Sequence, residues 1–131
     1  SGGALVGAAA VLAITLLASP ARVADRIALT GSSLAPAAAG SAVLEPMADG
    51  SIRVDLAISG LPRSDAGHFY ELWLVGERGR VSAGTFRSDG GPLVRSFMTA
   101  ADPAAYPRIG ITLETDDGNP AASDQRVAGS G

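Results

Sequence analysis

From Ile27 onward the sequence is built of short apolar-alternating runs, separated by turn residues at intervals of about ten residues. Ser51–Ser59 shows the pattern most clearly. Val54, Leu56 and Ile58 fall on one face and Arg53 and Asp55 on the other, which is the period of a half-buried antiparallel strand. Ala48-Asp49-Gly50 before it is a turn, with glycine placed for a positive φ, and Gly60-Leu61-Pro62 ends it. Phe69–Val75 is apolar on both faces apart from Glu71 and reads as a central strand. Further strands are expected at Ile27–Ser32, Ser41–Met47, Val81–Arg87, Leu93–Thr99, Arg108–Glu114 and Gln125–Ala128. Ala35–Gly40 is a small-residue connector, and Ala100–Tyr106 reads as one helical turn. Seven or eight such strands indicate an all-β sandwich or barrel. The expected architecture is an Ig-like antiparallel β-sandwich, and the roughly 108 residues from Ala24 onward suffice for one such core.

The start of the chain differs in kind. No charged residue occurs from Ser1 to Ala21, and Ala4–Ala18 is nearly all apolar. A bilayer core of roughly 30 Å needs about 20 helical residues, with a lower limit near 17, and Gly2–Ala18 reaches that limit. Its strong apolar residues together favour insertion by about 2–4 kcal/mol. A signal-peptide hydrophobic region and a buried helix of a soluble domain are the competing readings. A signal peptide would open with a basic region, whereas this chain opens Ser1-Gly2-Gly3. One transmembrane helix over residues 1–21 is therefore expected, with a β domain over 22–131 and a missing portion upstream. Ser19-Pro20 stops the helix. Arg22 and Arg26 follow; by the positive-inside rule they do not favour export of this side, so the visible flank is equivocal.

Composition removes most chemistries. There is no cysteine, which excludes a disulfide scaffold, a thiolate metal site and a cysteine nucleophile. The single histidine, His68, excludes any site needing two imidazoles from one chain. The net charge of −3 argues against nucleic-acid binding. No nucleophile elbow and no phosphate-cradling glycine loop is present. Asp116, Asp117 and Asn119 lack the spacing of a calcium loop and read as a solvated turn. His68, Met47 and Met98 are an incomplete copper set without a thiolate. Trp73 and Tyr70 point to opposite faces of their strand and are expected to serve packing. Glu71, on the same strand, requires an arginine partner or solvent at the sheet's rim. No catalytic, cofactor-binding or metal-binding residues are assigned, no cofactor is expected, and the chain is read as not an enzyme.

Several segments taken together carry a resemblance. They are Ser59-Gly60-Leu61-Pro62, Tyr70-Glu71-Leu72-Trp73-Leu74-Val75, Val81-Ser82-Ala83-Gly84-Thr85-Phe86, Ile109-Gly110-Ile111-Thr112-Leu113-Glu114 and Asp117-Gly118-Asn119-Pro120. In this order and spacing the chain resembles the C-terminal, extracytoplasmic domain of the anti-sigma-K factor family, from about Ile27 to Gly129, with the apolar segment upstream. The resemblance implies a single-pass protein of the cell membrane with its β domain on the extracytoplasmic side. It also implies a sigma factor as partner, held by a cytoplasmic domain that this chain does not contain. The implied mechanism is regulated proteolysis. The outer domain would control access of a protease to the juxtamembrane stretch Ser19–Ser33, and a membrane protease would then cut within the helix and free the sigma factor. Gly7 and Ala8-Ala9-Ala10 suit a cleavable helix and equally suit helix–helix contact. The alternative function is an exported, membrane-anchored or secreted Ig-like binding or adhesion domain without enzymatic activity.

Overall fold

The computed structural model describes residues 25–131. The expected transmembrane helix, with Gly7 and Ala8-Ala9-Ala10, lies outside the described residues. Among those described, no helix is long and apolar enough to cross a membrane.

Eight strands form: β1 (Asp25–Gly31), β2 (Ala39–Pro46), β3 (Ile52–Ser59), β4 (His68–Gly76), β5 (Gly79–Phe86), β6 (Leu93–Thr99), β7 (Arg108–Thr115) and β8 (Arg126–Gly129). Each of the eight expected strands is present, with ends shifted by at most two residues. Ala100–Tyr106 holds one hydrogen-bonded turn, in which the Asp102 carbonyl accepts from the amides of Ala105 and Tyr106, both at 3.0 Å.

All eight strands belong to one antiparallel sheet in the order β5-β4-β7-β8-β1-β2-β3-β6. The fold is all-β as expected, but the two separate sheets of an Ig-like sandwich do not form. The reason is β8. This four-residue strand pairs with β7 on one side, and with Thr30 and Gly31 of β1 on the other. It thereby joins what would otherwise be two sheets. The end strands β5 and β6 then approach each other, and the sheet becomes a nearly closed barrel. Gly84 lies at this seam with φ +148°, where a Cβ would stand 2.7 Å from Cδ2 of Phe97. Only glycine fits both the backbone and the contact.

The alternating runs place their apolar faces inside. Val54, Leu56 and Ile58 are buried, joined by Leu29, Leu44, Leu72, Leu74, Ile109 and Ile111. On the outer face of β3, Arg53 pairs with Glu45 at 2.6 Å and Asp55 at 3.1 Å. Tyr70 stacks on Phe86 at 5.6 Å, and Phe86 meets Phe97 edge-on at 5.9 Å. The Tyr70 hydroxyl donates to the Pro62 carbonyl at 2.7 Å.

Burial and then the Asp65 charge push the Tyr70 phenol above its ordinary range. Its folded-state value therefore exceeds the unfolded one. The associated stability is complete below about pH 10 and falls as pH rises beyond it, because the unfolded chain releases this proton first. Urea melts between pH 8 and 11 should show this decline, and Tyr70→Phe should flatten it. An unchanged slope in the variant would exclude Tyr70 as its source.

Candidate functional site

The segments that carry the family resemblance meet in space. Tyr70–Val75, Val81–Phe86 and Ile109–Glu114 lie on the adjacent strands β4, β5 and β7, and Asp117–Pro120 follows β7. Their inward residues feed the core. Their outward residues form a second, smaller buried layer on the outside of the barrel.

This layer is a polar chain. The Trp73 indole Nε1–H donates to Thr112 Oγ1 at 2.9 Å, and the Thr112 hydroxyl donates to Glu114 Oε2. The Glu114 carboxylate also accepts the Ser123 amide at 2.9 Å, and Ser123 Oγ donates to the Leu113 carbonyl at 2.7 Å. Glu114 alternates to the outer face of β7, yet it is only 5% exposed. The loop between β7 and β8 folds back over it through these bonds. Trp73 is therefore buried, as expected of a packing residue, but outside the barrel, whereas Tyr70 lies inside it. Glu71 finds no arginine but stays partly exposed to solvent, and the Ser82 hydroxyl donates to its Oε2 at 2.6 Å.

Beside this layer lies a cleft of about 370 Å³. Trp73, Val75 and Gly110 line it together with Arg80, Arg108 and Arg126. The Arg80 guanidinium sits 5.8 Å from the Trp73 ring centroid, within cation–π range. Arg126 Nη2 donates to the Ser130 carbonyl at 2.7 Å.

A second feature concerns where the fold begins. β1 pairs with β2 along Asp25–Thr30, and Leu29 is buried beneath it. At its far end the Ser32 amide donates to the Val127 carbonyl at 2.8 Å, and Ser32 Oγ donates to the Arg126 carbonyl at 2.6 Å. Asp25–Gly31, the part of the stretch Ser19–Ser33 that lies among the described residues, is a strand in the middle of the sheet order.

The remaining candidates stay apart. Met98 is exposed on the outer face of β6, Met47 lies in the turn after β2, and His68 opens β4. Among the described residues no cluster of three His, Cys, Asp or Glu side chains could hold a metal. Asp117 Oδ1 accepts the Asn119 amide at 2.9 Å and Asn119 Oδ1 accepts the Ala121 amide at 3.0 Å, so these side chains serve their own turn. The arginine-lined cleft was not foreseen. Its cations come from three strands, and no local motif links them.

No curated protein and no solved structure shows significant similarity to the chain. The family model described as "Anti-sigma-K factor rskA, C-terminal" matches residues 4–127, a range that takes in β1 to β7 and the first two residues of β8. The chain belongs to the anti-sigma-K factor family, as its C-terminal domain.

Proposed function

We propose that this chain is the extracytoplasmic regulatory domain of a membrane-anchored anti-sigma factor, and that its fold controls proteolytic release of the sigma factor. Family membership supports a regulatory, non-enzymatic role with a sigma factor as partner. The observation that carries the reading is the place of β1. Only Arg22, Val23 and Ala24 separate the apolar segment 1–21 from Asp25, where the strand begins. A protease acting close to the membrane would need β1 detached from β2 and β8. The stability of the domain then becomes the gate: an intact sheet keeps the anti-sigma factor whole, and loss of β1 pairing exposes the cut site. A membrane protease acts next, on the segment between residues 1 and 21.

The test uses the full-length product of the parent gene with alkaline phosphatase fused to its C-terminus. Phosphatase activity in intact cells is expected, because the enzyme folds only outside the cytoplasm. Removing residues 25–131 should raise transcription from the cognate sigma-dependent promoter, and loss of the membrane protease should suppress that rise. An inactive phosphatase fusion would overturn the extracytoplasmic placement. Unchanged transcription after the deletion would overturn gating by this domain.

A further inference from the structure

We infer that the cleft over Trp73 binds a phosphate monoester carrying an apolar group. Arg80 on β5 and Arg108 on β7 are both paired directly with Val75 on β4. Residues directly opposite one another across antiparallel strands project to the same face. Two arginines therefore flank one valine in a single row. Arg126 on β8 closes the third side: its Nε lies 4.0 Å from where a Gly110 Cβ would stand. Like charges grouped this way repel one another. Yet among the described residues the only ion pairs are those of Arg53, so none of these three guanidiniums lies within salt-bridge distance of a carboxylate. Glu71 is held by Ser82 and Glu114 by Thr112 and Ser123. Asp124 is the one acidic side chain lining the cleft.

Three arginines and one aspartate leave a local charge of +2 on a chain whose net charge is −3. A phosphate monoester carries about −1.5 to −2 at neutral pH and offers three acceptor oxygens. Guanidinium forks match those oxygens in pairs. A lone carboxylate would neutralise half the charge and occupy one fork. The Val75 side chain and the Trp73 edge supply the apolar wall, so bare phosphate leaves that wall unused. Gly110 provides the space. A Cβ there would stand in ordinary contact with Val75 Cγ2 at 3.7 Å and Arg126 Nε at 4.0 Å, so a side chain at this position would take up the floor of the cleft.

Such an ester has two sources, the headgroup of phosphatidate in a membrane or a soluble aryl or alkyl phosphate. Gly129 pairs with both Gly110 and Thr30, so Arg108 lies level with the middle of β1, and its place along the barrel favours neither source.

Trp73 is the only tryptophan, so its fluorescence reports the cleft directly. The full chain in phosphatidylcholine vesicles is titrated with phenyl phosphate and with inorganic phosphate. In parallel, vesicles doped with phosphatidate are compared with undoped ones. A saturable change with phenyl phosphate, at least tenfold tighter than with inorganic phosphate, is expected if the source is soluble. A change confined to the doped vesicles assigns the site to the lipid headgroup. Arg108→Gln should weaken either response at least tenfold. Gly110→Val should abolish it by filling the cleft, with far-UV circular dichroism and melting temperature showing that the sheet stands. A response that survives Gly110→Val, or none to any of these probes, overturns the site.

Discussion

Replacing Glu114 by alanine is expected to lower stability by about 3–5 kcal/mol, an unusually large effect for a residue outside the barrel core. Two donors lose their acceptor at once, the Thr112 hydroxyl and the Ser123 amide. Each buried donor left unpaired costs about 1–3 kcal/mol. The loop between β7 and β8 also loses its anchor, since Ser123 is held by Glu114 and by the Leu113 carbonyl. For a domain of this size the melting temperature should fall by roughly 12–20 °C. Trp73 provides a local readout: with the loop loosened, its emission should shift to the red under fully folded conditions. Glu114→Gln keeps an acceptor oxygen for the Ser123 amide and should lose about half as much. Chemical melts decide the matter. A loss below about 1 kcal/mol in Glu114→Ala, with unmoved Trp73 emission, would show that the loop is held by something else.

The parts of this molecule that were legible in the sequence are those fixed by local alternation. Val54, Leu56 and Ile58 against Arg53 and Asp55 fixed both faces of β3, and the structure keeps every one of them there. The small residues around Ala35–Gly40 likewise marked a connector, the first part of which is a turn. Strand count followed from turn spacing. What alternation cannot carry is which strands become neighbours. β8 has only four residues, and its role in joining β7 to β1 rests on Val127 and Ala128 burying inside and on main-chain pairing to Gly110 and Thr30. Main-chain pairing leaves no mark on side-chain pattern. The same holds for the outer layer. Trp73 finds Thr112 across 39 positions of sequence. Glu71 was expected to find arginine or solvent; it keeps partial access to solvent and also takes a serine from β5. The register that sets this partner shifts at a bulge between Leu72 and Trp73. The three arginines of the cleft stand 28 and 18 positions apart in the chain, so only the sheet order brings them together.

Leu29→Ala should make the start of the domain open far more often, and this carries the functional reading furthest. Leu29 is 2% exposed and pairs with Gly40, which offers no side chain to fill the space its removal leaves. Truncating a buried leucine costs about 2–5 kcal/mol. If that cost falls on the opening of β1, the open population rises by about 30-fold to several thousandfold. Cleavage follows the open population when reclosing outruns the protease. Trypsin provides the assay, since Arg26 lies within β1, its guanidinium donating to Ser41 Oγ at 3.0 Å. The full chain in vesicles is digested, and the fragment beginning at Ile27 is followed by mass spectrometry. Val94→Ala, at a side chain 69% exposed on β6, serves as the control and should change little. Comparing the rise in cleavage with the loss of global stability then separates two mechanisms. A rise matching the global loss means that the whole barrel must unfold before β1 is cut. A larger rise means that β1 leaves alone, which the short pairing with β8 permits, because Asp25–Leu29 is paired along β2 only. An unchanged rate at Arg26 despite a lowered melting temperature would show that β1 is not the gate. In the second case a signal needs only to loosen the β8 clasp at Thr30 and Gly31, a far smaller free-energy change than unfolding the domain.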